Sequence, residues 1–193
     1  MAAADPLARF VELYARAASG APFDPSAVTL ATAGADGRPS ARMVLLKGVD
    51  ERGFRFFSNY ESRKGRELAA KPHAALCFYW PWIDEQVRVE GAVTKLTAEE
   101  SDAYFATRPR GAQLGAWASA QSAPLGSRIA LLRRVARSEA RFLGGAIARP
   151  PNWGGYLLSP RAVEFWKSRR SRLHERQLYT LTADGWRSER LQP

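Results

Sequence analysis

Ala27-Val-Thr-Leu-Ala-Thr32 is followed by Gly34-Ala-Asp-Gly37 and then by Ala41-Arg-Met-Val-Leu-Leu-Lys47. The two outer segments are rich in apolar and β-branched residues, which favour strands. Between them, Asp36-Gly37 supplies residues that tolerate the positive φ of a tight turn. The order of strand, turn and strand predicts a β-hairpin, and the hairpin in turn predicts an antiparallel sheet.

The rest of the chain alternates helical and strand-like segments. Apolar residues at helical spacing predict an N-terminal helix at about 5–19, and Ser62 can cap a short helix that runs to Ala70. Thr97-Ala-Glu-Glu100 has capping-box spacing, and Pro124 to Leu143 carries apolar residues at helical intervals. Further strands are predicted at 54–58, 73–80, 86–96, 155–158, 162–166, 172–180 and 186–191. About eight strands with a few helices predict a barrel-like α+β fold.

Composition limits the setting of the chain. Its 193 residues are 46% hydrophobic and include six tryptophans, which is enough for one well-filled core, so a single domain over 1–193 is predicted. A formal charge of +10 favours polyanions or small phosphorylated ligands, and charge alone does not choose between them. The single cysteine, Cys77, excludes an internal disulfide framework and favours a reducing, cytoplasmic location.

Neither a signal peptide nor a membrane span is predicted. Met1-Ala-Ala-Ala-Asp-Pro6 lacks a basic region followed by an apolar block. No segment approaches the roughly 18 uninterrupted apolar residues that a membrane-spanning helix needs. We therefore expect no membrane partner.

Arg172-Leu-His-Glu-Arg176 is the most distinctive charged segment. Successive strand side chains alternate between faces, so a strand here would place Arg172, His174 and Arg176 in one row. Such a row suits an anionic, electron-rich ligand whose reaction develops negative charge. A solvated edge strand is the alternative, because charged residues commonly protect sheet edges.

Two further cationic groups fall at structured positions. Arg42 and Lys47 are five residues apart, an odd separation that puts them on opposite faces of a regular strand. Ser62-Arg63-Lys64 starts a predicted helix, where unpaired backbone N–H groups and the helix dipole favour an anion such as phosphate. A solvated helix start is the alternative for this tripeptide.

A series of short motifs extends along the chain, and only the ordered set is specific. The motifs are Arg42-Met-Val-Leu-Leu-Lys47, Ser62-Arg-Lys64, Gln86-Val-Arg-Val-Glu-Gly91, Tyr104-Phe-Ala-Thr-Arg-Pro-Arg110, Gln113-Leu-Gly-Ala-Trp117, Gln121-Ser122, Asn152-Trp-Gly-Gly-Tyr156, Glu164-Phe-Trp166 and Arg172-Leu-His-Glu-Arg176. In order and spacing they resemble the pyridoxamine 5′-phosphate oxidase family. The resemblance runs from about Asp5 to Pro193.

The resemblance implies an FMN-binding split β-barrel with flanking helices. It also implies a homodimer with FMN at the subunit interface, a C-terminal substrate-site region at about 152–193, and no metal. The residues implied to contact FMN are Arg42, Met43, Val44, Leu45, Leu46, Lys47, Phe57, Ser58, Arg63, Lys64, Gln86, Gln121, Ser122, Trp166 and Arg176. The residues implied to bind substrate are Lys47, Tyr104, Arg108, Arg172 and His174, of which Arg172 and His174 would cover the pyridine ring and act as the catalytic residues.

The implied reaction is oxidation of pyridoxamine or pyridoxine 5′-phosphate to pyridoxal 5′-phosphate. Hydride would pass from substrate C4′ to flavin N5, and oxygen would reoxidise the flavin. The cofactor supplies the redox chemistry while the protein positions and polarises. Lys47 and Arg108 would clamp the substrate phosphate, with Tyr104 adding a hydroxyl donor. Arg176 and Gln86 would face the pyrimidine edge of the flavin, where reduction builds negative charge.

Three features depart from the family pattern. Ala112 stands where the family has a phosphate-binding serine, so one expected donor is absent. Lys167-Ser-Arg-Arg-Ser171 replaces the glycine that usually follows near Trp166 and crowds the approach to the site with bulk and charge. Only four residues precede Asp5, so the basic segment that folds over substrate in longer members is expected to be missing.

These departures leave three alternatives. A related flavin oxidase could act on a phenazine-type precursor, although such relatives tend to lose the substrate-phosphate residues that survive here. A flavin- or pyridoxal-phosphate-binding protein without turnover would keep the cationic sites. Nucleic-acid binding through Arg128, Arg133, Arg134 and Arg137 is disfavoured, because Glu139 and the apolar neighbours fit a solvated helix face better.

Overall fold

The computed structural model describes residues 5–193, so the part of the signal-peptide expectation that rests on residues 1–4 lies outside the described residues. Nine strands and five α-helices occur in this range. The strands are β1 (Ala27–Ala33), β2 (Pro39–Leu45), β3 (Gly48–Asp50), β4 (Gly53–Asn59), β5 (His73–Trp80), β6 (Glu85–Lys95), β7 (Trp153–Lys167), β8 (Glu175–Thr182) and β9 (Gly185–Leu191). The helices are α1 (Pro6–Ala18), α2 (Arg63–Ala70), α3 (Ala98–Thr107), α4 (Arg110–Ala118) and α5 (Arg128–Arg141).

The strands form one curled antiparallel sheet in the order β2-β1-β5-β6-β7-β4-β3. Strand β7 is the longest and has three neighbours: β6 along most of its length, β4 over its first part and β8 over its last part. Strand β9 extends the sheet beyond β8. The backbone N–H of Lys47 donates to the Arg55 carbonyl at 2.8 Å and links the end of β2 to β4. The architecture is the predicted split β-barrel with flanking helices.

One face of the sheet is filled with aromatic and aliphatic side chains and is covered by α1. Phe10 of α1 lies with its ring centroid 4.8 Å from that of Phe54 and 4.9 Å from that of Phe78. A second, smaller cluster lies under α3 and α4 and includes Phe105 and Trp153. This second cluster forms the floor of the candidate site described below.

The hairpin that defines the sheet is confirmed. Strands β1 and β2 pair antiparallel from Ala27 opposite Leu45 to Ala33 opposite Pro39, and Gly37 adopts a positive φ of 81° in the connecting turn. The capping predictions are confirmed as well. Ser62 Oγ accepts from Gly65 N at 3.3 Å, and the capping box between Thr97 and Glu100 is complete.

The helix predicted from Pro124 to Leu143 is shorter than expected and spans Arg128–Arg141. It starts later because Ser127 caps it, with Oγ accepting from Ala130 N at 3.1 Å. The strands predicted at 155–158 and 162–166 are one strand, β7. Pro160 does not end it because the β6–β7 register shifts at Gly91, where a side chain would clash with the Ser159 carbonyl.

The prediction that Arg172, His174 and Arg176 form a row on one strand is wrong. Strand β8 begins at Glu175, and both Ser171 and Arg172 have left-handed backbone conformations, with φ of 57° and 60°. Two such residues in succession turn the chain sharply. Arg169 closes the turn, because its backbone N–H donates to His174 Nδ1 at 3.2 Å and its Nε lies 2.7 Å from Glu175 Oε1.

Candidate functional site

A cavity of about 660 Å³ opens where β2 ends, between β4, the start of α2 and the α3–α4 pair. We call it the barrel cavity. It brings together most of the residues proposed from sequence to bind cofactor or substrate phosphate. The lining residues from that set are Met43, Val44, Leu45, Lys47, Phe57, Ser58, Lys64, Tyr104, Arg108 and Gln121, with Ala112 and Trp153 beside them.

Lys64 is the buried cation of the barrel cavity. It lies in the first turn of α2, and its Nζ donates to Ser58 Oγ at 3.1 Å, to Gln121 Oε1 at 3.2 Å and to Ser62 Oγ at 3.4 Å. All three of these partners are uncharged. Burial lowers the pKa of Lys64, and the nearby Arg42 guanidinium lowers it further. A buried ammonium solvated by neutral oxygens is a favourable place for an anion, which would restore the charged form.

Arg108 supplies a second cation from the end of α3. Its guanidinium carbon lies 4.5 Å from the Trp153 ring centroid, and burial lowers its pKa. Among the described residues, Arg108 Nη1 is buried without a hydrogen-bond partner. Buried donors are almost always paired, so an unpaired one in a cavity wall indicates a ligand group. Tyr104 stands beside it, stacked on Phe57 with ring centroids 3.8 Å apart.

Arg42 and Arg63 meet on one carboxylate, that of Glu67 in α2. Arg42 Nη2 lies 2.9 Å from Glu67 Oε2, and Arg63 Nε lies 2.9 Å from Glu67 Oε1. Burial raises the pKa of Glu67, but hydrogen bonds from the hydroxyls of Thr32 and Ser40 and from both arginines outweigh burial and bring the pKa to about 2. Both arginines are therefore held in place while keeping donors for a further anion.

The side chains of Arg42 and Lys47 point to different surroundings, as expected from the sequence, although Lys47 lies two residues beyond the end of β2. Arg42 faces Glu67, whereas Lys47 lines the barrel cavity together with Met43 and Leu45. Leu46 is buried in the core. Ser122, next to Gln121, is exposed and has a positive φ of 71°. Of the residues between 42 and 122 that were proposed from sequence, those outside the cavity wall are Arg42, Leu46, Arg63, Gln86 and Ser122.

A separate group of residues proposed from sequence lies across β6, β7 and β8, and we call it the β7 group. Gln86 pairs in register with Trp166, and Trp166 pairs with Arg176, so the three side chains share one face of the sheet. The His174 ring lies 4.5 Å from that of Trp166, centroid to centroid. Because Arg169 N donates to its Nδ1, a neutral His174 carries its proton on Nε2. Arg172 is exposed on the adjoining turn.

His174 and Arg176 also line a separate cavity of about 500 Å³, which is bounded further by Arg9, Lys167 and Arg190. The residues that line it differ from those of the barrel cavity. Within this one chain, the proposed site residues thus fall into two groups rather than one.

The same sheet face connects the two groups. Register places Met43 opposite Thr29, Thr29 opposite Cys77, Cys77 opposite Arg88 and Arg88 opposite Glu164. We call this surface, which carries Met43, Leu45, Tyr79, Gln86, Trp166 and Arg176, the outer sheet face. Met43 is 60% exposed and Tyr79 is 59% exposed, so the face presents large apolar side chains to its surroundings.

Sequence reasoning gave no role to Glu67, Glu164 or Trp153. Glu164 is buried on the outer sheet face, where its oxygens lie 2.5 Å from Arg88 Nη2 and 2.8 Å from Arg176 Nε. The spacing of Arg63 and Glu67, four residues apart on a helix, is a local signal for their ion pair. The pairing of Glu164 depends on strand register and has no comparable local signal.

Comparison with known proteins agrees with this architecture. Residues 20–142 match the family model described as pyridoxamine 5′-phosphate oxidase, and residues 153–193 match the pyridoxine 5′-phosphate oxidase C-terminal dimerisation region. The chain belongs to the pyridoxamine 5′-phosphate oxidase family. Among the described residues, no helix is long and apolar enough to cross a membrane.

Similar individual proteins include two named pyridoxine/pyridoxamine 5′-phosphate oxidase. The one from Anaeromyxobacter dehalogenans is 59% identical over 100% of this chain and 97% of its own length, and one from Myxococcus xanthus is 53% identical over 98% and 92%. Among solved structures, PhzG from Burkholderia lata 383, in complex with tetrahydrophenazine-1-carboxylic acid, is 34% identical with a TM-score of 0.94, covering 99% of this chain and 94% of that chain. A related FMN-binding protein from Nostoc punctiforme, 22% identical with a TM-score of 0.78 over 99% and 100%, shares the fold.

Proposed function

We propose that this chain is an FMN-dependent oxidase that converts pyridoxamine or pyridoxine 5′-phosphate to pyridoxal 5′-phosphate, with oxygen as electron acceptor. The observation that carries the proposal is the wall of the barrel cavity formed by Lys47, Tyr104 and Arg108. It combines two cations, one of them with a buried unpaired donor, and a phenol. A phosphate dianion needs several such charge-assisted donors.

Lys64 in the barrel cavity and two arginines beside it suit the phosphate of FMN. Lys64 is buried among neutral oxygens at the start of α2, and Arg42 and Arg63 are oriented by Glu67 close to it. A helix start with oriented cations is a favourable phosphate site. When bound, FMN would accept two electrons from the substrate and pass them to oxygen. The chain's own part is to hold the two phosphates and the rings in a productive arrangement.

We also propose a homodimer in which Gln86, Trp166, His174 and Arg176 of one subunit complete the barrel cavity of the partner subunit. Met43 and Leu45 belong to both the barrel cavity and the outer sheet face, so a second copy placed on that face would cover the cavity mouth. Exposed large apolar side chains on this face favour such a contact. The match of residues 153–193 to a dimerisation region supports the same arrangement.

In this arrangement Arg172 and His174 would cover the substrate ring, and Gln86, Trp166 and Arg176 would face the flavin. The neutral tautomer of His174 offers Nε2–H as a donor, because Nδ1 is occupied by the Arg169 N–H. We propose that residues 1–193 act together as one FMN-binding unit in each subunit.

A second candidate is oxidation of a phenazine precursor. It is favoured by the likeness to PhzG and by Ala112, whose methyl group lines the barrel cavity and offers no hydrogen bond to a phosphate. The buried Nη1 of Arg108, which has no hydrogen-bond partner among the described residues, argues against this candidate. A substrate without phosphate would need another anionic group to accept from it.

Aerobic turnover tests the proposal. The protein supplied with FMN and either vitamin B6 phosphate is expected to form many equivalents of pyridoxal 5′-phosphate per flavin, measured by the absorbance of the product. Absence of product from a folded, FMN-loaded protein would contradict the proposal.

A further inference from the structure

Glu164 is buried on a face of the sheet that is otherwise partly exposed. It belongs to β7, and its neighbours Val163 and Phe165 point into the core, so Glu164 points outward. Even so, it is only 4% exposed, because the guanidinium groups of Arg88 and Arg176 pair with it. Burial of a carboxylate is costly unless charged donors of this kind pair with it.

The two arginines use different oxygens of Glu164. Arg88 Nη2 lies 2.5 Å from Oε2, whereas Arg176 Nε lies 2.8 Å from Oε1. Arg176 has a second anchor, because its Nη1 donates to the Gln192 carbonyl at 3.0 Å. Two anchors fix the plane of its guanidinium group, and Arg88 fixes the carboxylate that provides one of them. The remaining Arg176 donors therefore point in a set direction.

We propose that Glu164 is a positioning residue that holds Arg176 against the pyrimidine edge of FMN and thereby favours reduced over oxidised FMN. The inference rests on the proposed function, in which Arg176 faces the flavin. A donor that is already oriented stabilises developing negative charge without reorganising at the moment of reaction. A freely rotating arginine would have to be ordered first.

The direction in which the midpoint potential of bound FMN shifts distinguishes a positioning role of Glu164 from a direct effect of its negative charge. A negative charge beside the flavin disfavours its electron-rich reduced form, so loss of the Glu164 charge alone would raise the midpoint potential of bound FMN. Loss of an oriented Arg176 would lower that potential. Glutamine in place of Glu164 has one acceptor oxygen and an NH₂ group that would face a guanidinium donor, so it cannot hold both arginines.

The test is a redox titration of FMN-loaded wild type, Glu164→Gln and Glu164→Asp. Glu164→Gln is expected to reduce the preference for reduced over oxidised FMN about tenfold, which is about 30 mV for a two-electron couple. Glu164→Asp keeps the charge but withdraws the oxygen from Arg176, and should shift the potential in the same direction. If Glu164→Gln does not fold, the midpoint potential of FMN bound to Glu164→Asp provides the test. Glu189→Gln, which removes an exposed carboxylate from the neighbouring β9, is the matched control and should leave the potential unchanged.

A double-mutant cycle shows whether Glu164 acts through Arg176. In the Arg176→Met background, Glu164→Gln is expected to add no further fall in potential. An unchanged or higher potential in the single variants, or the same fall in the Arg176→Met background, would overturn the inference while leaving the proposed function intact. If the wild-type protein binds no FMN, measured by fluorescence quenching of added FMN, the proposed function fails and this inference fails with it.

Discussion

The Arg108 guanidinium lies over the Trp153 indole, 4.5 Å from the ring centroid, and points a buried, unpaired Nη1 at its surroundings in the described structure. The aromatic face stabilises the cation while leaving its N–H donors available. Arg108 therefore presents a buried N–H group that could donate to an anionic ligand. Several expectations follow from assigning that ligand as the substrate phosphate.

Arg108→Met should raise the KM for pyridoxamine 5′-phosphate at least tenfold, equivalent to about 1.4 kcal/mol, with little change in kcat. The phosphate is remote from the reacting carbon and is held similarly in ground and transition states, so its loss appears as weaker binding. Steady-state kinetics measure both constants. Arg161→Met, an exposed arginine of β7, is the control and should behave as wild type. A large fall in kcat at unchanged KM would assign Arg108 to the chemistry instead.

Ala112→Ser should lower the KM for pyridoxamine 5′-phosphate. Ala112 lines the barrel cavity, and a hydroxyl there would add a hydrogen bond to a charged group, worth roughly 1.5–3 kcal/mol when well formed. A phenazine-type substrate without phosphate should gain nothing. An unchanged or higher KM in kinetics of the two proteins side by side would mean that Ala112 is not at the phosphate.

Substitutions at the proposed substrate residues should impair substrate oxidation, whereas substitutions at the proposed FMN-phosphate residues should impair cofactor retention. Arg172→Ala and His174→Ala should retain FMN but slow its reduction by substrate, because both side chains are assigned to the substrate. The double variant Arg63→Met/Lys64→Met should lose FMN on gel filtration, since it removes two phosphate donors. Absorbance at the flavin band and anaerobic stopped-flow reduction report the two properties. Unaltered reduction in the Arg172 variant would remove its assigned role.

Glu67 should make the stability of the region around Arg42 and Arg63 sensitive to acid. Its pKa falls from the ordinary 4.5 to about 2 in the folded protein, so the carboxylate contributes stability that is fully present above pH 4.5 and is lost as the pH falls towards 2. The difference in free energy of unfolding between wild type and Glu67→Gln should therefore be largest near neutrality and should shrink progressively as the pH falls from about 5 towards 2. Urea unfolding at several pH values measures it, with the exposed Glu51→Gln as control. A difference that stays constant with pH would contradict the shift.

The sheet could be predicted from sequence wherever the signal was local. Asp36-Gly37 identified the turn of the first hairpin, and Thr97 with Glu100 identified the start of α3. The odd spacing of Arg42 and Lys47 predicted their different surroundings, although Lys47 follows β2 rather than belonging to it. These features depend on residues within a few positions of each other, which is the range over which backbone preferences act.

Features that depend on distant pairing could not be predicted. Ser171 and Arg172 both have left-handed backbone conformations and interrupt the expected strand. Neither is a glycine, so the sequence does not predict a turn at this point. Strand β7 continues through Pro160 because Gly91 on β6 accommodates the irregularity. The role of Glu164 as a bridge between arginines of β6 and β8 appears only once three strands are in register.

Helix α4 and strand β3 were also absent from the prediction. Helix α4 begins directly after Pro109, and its N-cap has no side-chain hydrogen bond of the kind that marks α2 and α3. Strand β3 is only three residues long and is defined by its pairing with β4. Helix α4 lines the barrel cavity through Ala112, Gly115 and Ala116, so the shape of this cavity could not be derived from the sequence.

Anaerobic mixing of the FMN-loaded protein with substrate tests the central claim most directly. Pyridoxamine 5′-phosphate and pyridoxine 5′-phosphate are each compared with tetrahydrophenazine-1-carboxylic acid, and the flavin absorbance is followed after rapid mixing. The proposed function predicts that the two vitamin B6 phosphates bleach the flavin and that admitting oxygen restores its colour. Bleaching by the phenazine precursor alone, or by none of the three, would contradict it.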